Sequence, residues 1–289
     1  MYTKLALLIF IFMSKLSASV VTTLPEFAWI VHNLNPDTKV INLLQGNEDP
    51  HFVDASPSFV FKVAKAKLLI KNGMQLEMGW LPVVTQQSGN EAVQLGGKGH
   101  CDASQNVNKV GVIANYDRSM GDVHPVGNPH YTLSLVEMKS VIKTIAKCME
   151  RVGLEYSKDK YTELLAKFDA QIANVKKLLK PIKMKKFMVY HTEFNYFLRD
   201  FDLISVGSLE EVPGVLPSAV YLAKTAKKAM DEKVSLVLAS NVSPERYLNK
   251  FKDISSINYV KAQMHPLSSD DYLKHYENFI NELVDNVSL

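Results

Sequence analysis

Apolar residues fall along this chain in two alternating rhythms. Nearly continuous β-branched and apolar runs at residues 20–23, 39–44 and 67–71 read as strands buried on both faces. Segments of helical period lie between them. Phe27, Ile30, Val31 and Leu34 share one face, and Ser56-Pro57 supplies an N-cap with proline in the first turn of a second helix. Residues 76–84, around Trp80, are predicted helical as well. Gln94 to Asp102 is Gly-rich and reads as a loop entering the next edge of the sheet. Its Gly-Lys pair lacks the following Ser/Thr and the spacing of a phosphate-binding loop. Val136, Ser140, Val141, Thr144, Ile145 and Cys148 then keep helical spacing over 134–150, with Gly153 as the stop.

Residues 157–180 contain neither Gly nor Pro, and Tyr161, Leu164, Leu165, Phe168, Ile172, Val175 and Leu178 recur every three or four positions. This predicts one amphipathic helix of about six turns, ended by Pro181. The alternation then restarts. Strands are predicted at 186–191, 203–206, 234–240 and 257–262. Helices are predicted at 193–201, at 217–233, from Ser243-Pro244 onward, and at 270–284 with Ser268 or Ser269 as cap. Alternating strands and helices on both sides of the long helix imply an α/β protein with parallel sheets. In such sheets ligands bind beyond the carboxyl ends of the strands.

Composition adds location and removes some partners. Lys4, an apolar run from Leu5 to Met13 and the small residues Ser17-Ala18-Ser19 read as an export signal too short to span a bilayer. The mature protein is then expected in a periplasm-like space. The formal net charge is +3, and Lys4 and Lys15 leave with the signal. No basic field remains to hold nucleic acid or an anionic membrane. Of the two cysteines, Cys148 falls in a helical pattern and reads as a buried free thiol, while Cys101 falls in the Gly-rich loop. Whether they pair is left open by the sequence.

Eight histidines carry the candidate chemistry. His32 and His275 fall within helical patterns, and His100 reads as a surface or loop residue. His51, His130, His191 and His265 stand at loop mouths, two from each half, where they would face one another across a cleft. Asp49-Pro50-His51 and Asn128-Pro129-His130 place a histidine on backbone stiffened by proline. Converging neutral imidazoles suit a borderline metal, above all Zn(II). The spacing alone fits scattered structural histidines equally well, and no helical His-Glu-x-x-His pair is present.

Over nearly its whole mature length the chain resembles the solute-binding proteins of zinc and manganese ABC importers. The resemblance is carried by Val20-Val21-Thr22-Thr23, Asp49-Pro50-His51, Asn72-Gly73-Met74-Gln75-Leu76-Glu77, Asn128-Pro129-His130 and the long helix before Pro181. It continues through His191-Thr192-Glu193-Phe194-Asn195-Tyr196-Phe197 and Pro213-Gly214-Val215-Leu216-Pro217-Ser218. It implies a signal peptide at 1–19, α/β lobes at 20–156 and 181–289, one rigid helix at 157–180 joining them, and a metal site in the cleft between the lobes.

The same resemblance implies His51, His130 and His191 as ligands, the third being His in zinc-type members and often Glu in manganese-type ones. His265 stands where the family usually has Asp. If His265 ligates, the site is all nitrogen and favours zinc over the harder manganese. Otherwise a water or a nearby carboxylate completes the shell. The metal-gathering loop of many zinc-type members is missing or reduced to His124, an auxiliary ligand or a bystander. Asn241 falls where the family often has Glu-Pro and takes no metal role.

The implied function is capture of Zn(II), with Mn(II) as the alternative, by a periplasmic monomer that delivers the ion to a membrane ABC permease. An envelope metallohydrolase would need an open coordination position and a general base. Glu193 is the nearest candidate, and the helix direction is expected to turn it away. A surface adhesin has no repeat or added module in its favour.

Overall fold

The computed structural model describes residues 19–117, 120, 121 and 123–288. The export signal read at 1–19 lies outside them except for Ser19. The first half runs β1 (Ser19–Thr22), α1 (Pro25–Leu34), β2 (Val40–Asn42), α2 (Pro57–Ala64), β3 (Ala66–Lys71), α3 (Leu81–Ser88), β4 (His100–Asp102) and α4 (Leu135–Arg151). The long helix α5 (Lys158–Leu178) follows. The second half runs β5 (Lys186–Val189), α6 (Asn195–Asp200), β6 (Ile204–Ser208), α7 (Ala219–Asp231), β7 (Val234–Ser240), α8 (Glu245–Ser255), β8 (Tyr259–Ala262) and α9 (Tyr272–Ser288).

Each half builds one four-stranded sheet, ordered β2-β1-β3-β4 and β6-β5-β7-β8, with parallel pairing throughout. The two lobes therefore share one topology. In each, the chain first moves outward from its inner strand and then crosses back, so the direction of winding reverses between β1 and β3 and between β5 and β7. That reversal opens a crevice at the carboxyl ends of those strands.

The sequence accounts for the elements locally. Val20, Val21, Leu68, Leu69 and Ile70 are fully buried, as a sheet covered on both faces requires of consecutive residues. Each such side chain contributes on the order of 1.5–3 kcal/mol by leaving water. Serine side chains cap α2, α4, α5 and α7: Ser56, Ser134, Ser157 and Ser218 accept the backbone N–H of Phe59, Glu137, Lys160 and Tyr221. The main buried cluster is continuous across the molecule. It runs from β1 and β3 through Met138 and Ile145 of α4 and Phe168 of α5 to Phe194, Phe197, Phe279 and Leu283. A smaller cluster with Met188, Leu222 and Phe251 lies beneath α7 and α8.

Four local expectations give way to other arrangements. The helix expected over 76–84 begins only at Leu81. Met74 and Gln75 adopt positive φ, 48° and 68°, and the Glu77 carboxylate accepts the backbone N–H of Asn72 at 2.6 Å and of Gly73 at 3.1 Å. Those residues are spent on a turn, and Pro82 then fits the first turn of α3. Ser243 caps no helix; its hydroxyl bonds that of Ser240 at 3.0 Å. Asp271, rather than Ser268 or Ser269, accepts the Lys274 N–H at 2.9 Å just before α9. Cys148 is not a free thiol: Cys101 on β4 and Cys148 on α4 form a disulfide with a Cα–Cα distance of 6.0 Å.

Candidate metal centre

The loop after β2 carries His51. Two short bonds shape it: the Glu48 carboxylate accepts Gln45 N–H at 2.8 Å, and the Trp80 indole N–H donates to the Pro50 carbonyl at 2.9 Å. Asp49 Oδ1 accepts both the backbone N–H of His51 at 3.0 Å and its ring Nδ1–H at 2.8 Å. This fixes the ring and leaves the Nε2 lone pair for a ligand, the arrangement found where a carboxylate supports a metal-binding imidazole. Burial works against charge on Asp49, yet the hydrogen bonds and charge of His51 hold its carboxyl below the usual value.

His130 comes from the long connection between β4 and α4. Asn128 positions it twice over: its Oδ1 accepts the His130 N–H at 2.9 Å, and its Nδ2 donates to the Thr192 carbonyl of the other lobe at 2.8 Å. The ring is buried, and its Nε2 has no hydrogen-bond partner. A buried polar nitrogen left unbonded is costly in a folded protein. Burial, and then the charges of His51, His191, His124 and His265, push the His130 pKa well below its ordinary value. The ring is therefore neutral, the form that binds a metal.

His191 follows β5. Its Nδ1 faces Glu210 Oε2 at 2.7 Å, and the same carboxylate oxygen accepts Gly214 N–H at 3.0 Å. This second carboxylate–imidazole pair mirrors Asp49–His51 across the cleft. Ring centroids lie 5.1 Å apart for His51–His130, 5.5 Å for His130–His191 and 6.2 Å for His51–His191. One ligand atom from each of these three residues falls within 4.8 Å of the others. Among the described residues, this is the group of His, Cys, Asp and Glu that could hold an ion.

His265 is placed differently. It follows β8 and lines the same cavity, of ≈ 190 Å³, as His51, His130 and His191. Its Nδ1 meets Glu26 Oε1 at 2.8 Å, in the first turn of α1, a carboxylate support of the same kind as those of His51 and His191. Burial opposes charge on this ring, yet the Glu26 carboxylate holds its pKa above the ordinary value. It does not belong to the group whose ligand atoms converge. His124, expected as an auxiliary ligand or a bystander, has its Nε2 3.2 Å from Nε2 of His51.

The remaining candidates sort by their contacts. His100 sits on β4 and bonds the Val93 carbonyl through Nδ1, while His275 bonds the Gln263 carbonyl. Glu193 was expected to turn away from the cleft, yet it lines the cavity from the short 3-10 turn Thr192–Phe194. Burial raises its pKa, which holds back the ionised form that a general base needs. Sequence reading missed Glu26 and Glu210 as partners of histidines. Glu26 stands 239 positions from His265, and only a short loop after β6 carries Glu210 back to His191.

Two parallel α/β lobes with a cavity between their strand ends define a two-lobed solute-binding protein. Residues 20–287 match the family described as ZnuA, the zinc-uptake complex component A, periplasmic, and the chain belongs to this family of solute-binding proteins, which are not enzymes. It is 24% identical over 290 residues to the high-affinity zinc uptake system protein ZnuA of Yersinia pestis, covering 92% of this chain and 89% of that one. The fold is similar to that of a zinc-bound ZnuA lacking its residues 138–173, with a TM-score of 0.75, 18% identity and coverage of 93% and 97% of the two chains. It is also similar to a Mn-bound periplasmic metal-binding protein of Candidatus Liberibacter asiaticus, with a TM-score of 0.72, 17% identity and coverage of 93% and 99%.

Proposed function

We propose that this protein captures Zn(II) outside the inner membrane and hands it to an ABC permease, with residues 1–19 as its export signal and His51, His130 and His191 as the ion's ligands. The observation that carries this reading is the convergence of three ligand atoms within 4.8 Å, one of them on a buried ring whose Nε2 has no partner. Three imidazoles suit zinc better than manganese, which prefers carboxylate and water oxygens. The carboxylates Asp49 and Glu210 support the site from behind, through ring nitrogens that face away from the ion.

Metal analysis with competition between Zn(II) and Mn(II) tests the proposal. The expected result is one ion per chain, zinc displacing manganese. His130→Ala should weaken zinc binding by more than the roughly 10–100-fold that loss of a supporting partner costs. Equal affinity for the two metals would favour manganese as the cargo. Zinc binding untouched in His130→Ala would sink the site assignment.

A further inference from the structure

We infer that Asn128 sets the metal selectivity of the cleft, by holding the loops of His130 and His191 at the separation that a small, four-coordinate ion needs. This rests on the reading of His51, His130 and His191 as the ion's ligands. Each polar group of Asn128 has a partner, and the partners come from both lobes. Within the first lobe its N–H donates to the Val110 carbonyl at 2.7 Å, and its Oδ1 accepts the His130 N–H at 2.9 Å. Toward the second lobe its Nδ2 donates to the Thr192 carbonyl at 2.8 Å, and its own carbonyl accepts the Tyr196 hydroxyl at 2.9 Å. One short side-chain amide thus spans from the backbone of one ligand to the residue that follows another.

The anchor is stiff. Pro129 confines Asn128 to extended backbone, and the Pro129 carbonyl accepts Nδ2 of buried Asn72 at 3.0 Å. Asn128 is itself buried, so water does not compete for its amide. On either side of this link the His130 and His191 ring centroids stand 5.5 Å apart.

Selectivity follows from the fixed spacing. Two nitrogens on one tetrahedral zinc, with Zn–N of about 2.0–2.1 Å, stand about 3.4 Å apart. Manganese prefers an octahedral shell rich in oxygen, so it needs added waters and more widely spaced loops. A link of set length across the lobes opposes that expansion. Ligand loops held in place before the ion arrives also lose less freedom when it binds. Asn128 is therefore a positioning residue, acting on the ion through the backbone of its ligands.

The test compares Asn128→Asp, Asp271→Ala and His130→Ala in the full chain. Asn128→Asp keeps an acceptor for the His130 N–H and turns an oxygen toward the Thr192 carbonyl, so it breaks the crossing bond. Asp271→Ala removes a different bond between the halves, from Trp29 at 3.1 Å, together with the cap of α9, and so reports general loosening. Zinc affinity is read by competition with a chromophoric chelator, selectivity by competition with Mn(II), and ligand geometry by the visible spectrum of the Co(II)-loaded protein. Asn128→Asp should weaken zinc binding about tenfold or more, narrow the preference for zinc over manganese and shift the cobalt bands. Asp271→Ala should lower the urea midpoint and leave those three readings at wild-type values. Asn128→Ser, too short to reach Thr192, should repeat the Asn128→Asp result and serves if that variant does not fold. Wild-type selectivity and cobalt bands in the Asn128 variants overturn the inference, as does an equal narrowing in Asp271→Ala. The underlying site reading fails separately, if His130→Ala binds zinc as tightly as the wild type.

Discussion

At the scale of single residues, the cleft holds three carboxylate–imidazole pairs that do different work. Asp49 and Glu210 orient rings of the converging triad. Glu26 holds the ring of His265, which lines the same cavity outside that group, and its second oxygen is buried without a partner. Removing one member of a buried ion pair strands the other, at a cost of about 3–5 kcal/mol. His265→Ala should therefore lower the urea midpoint of the metal-free protein by that much stability, and an unchanged midpoint would count against the pair. The pH dependence carries a sign from His130. An unfolded imidazole takes up its proton near pH 6.5, while the folded His130 does so only at lower pH. Between those values the unfolded chain holds more protons, so stability falls as pH drops below about 6.5. His265 acts the other way: its contribution is complete below about 6.5 and fades as pH rises through its raised folded value. Urea midpoints of metal-free wild type and His130→Gln across this range should show a shallower acid decline in the variant. The Pro-His motifs made His51 and His130 legible in the sequence. The carboxylate partners of the cleft histidines were not all legible, because Glu26 reaches His265 only through the folding of the whole chain.

At the scale of elements, the disulfide is the feature with the clearest energetic consequence. It ties the edge strand β4 to α4 across a sequence separation of 47. A loop of that length falls between cases worth about 3 and about 4.7 kcal/mol in the chain-entropy account. Reduction, or Cys101→Ala with Cys148→Ala, should destabilise the protein by about 2–4 kcal/mol. Thermal melts with and without reductant measure this, and identical curves would show that the bridge is not formed in solution. Neither cysteine announced the pairing, since one lay in a Gly-rich loop and the other in a helical stripe. Elements marked by both a cap and a periodic face were readable: α4 begins at Ser134 and α5 at Ser157 because both signals agree there. Legibility failed where local chemistry had a second use. Ser243 resembles a cap but bonds Ser240, and Glu77 lies in a helical pattern but its carboxylate is taken by the turn at Asn72-Gly73.

At the scale of the whole molecule, the question is whether the lobes swing apart when the ion leaves. The contacts between them argue for a fixed frame. Arg199 of α6 reaches Glu137 of α4 at 2.7 Å, and the Tyr196 hydroxyl donates to the Asn128 carbonyl at 2.9 Å. Tyr272 and Tyr276 of α9 donate to the carbonyls of Thr132 and Leu133 at 2.6 Å and 2.9 Å. Trp29 donates to Asp271 at 3.1 Å. Beneath these bonds a single apolar cluster joins β1, α4 and α5 to Phe194, Phe197 and Phe279. A wide hinge motion would expose that cluster at about 25 cal/mol per Å² of apolar surface, on top of breaking buried hydrogen bonds. A local response confined to the site would leave that core and those bonds intact. Small-angle scattering curves of metal-free and zinc-loaded protein should therefore superimpose, while amide exchange around His51 and His130 slows on zinc binding. Zinc should at the same time stabilise the fold by mass action, about 2.7 kcal/mol at a free concentration one hundred times Kd. A clear decrease in radius of gyration on zinc binding would instead show that the lobes close around the ion, and that the shared core yields more easily than its burial implies.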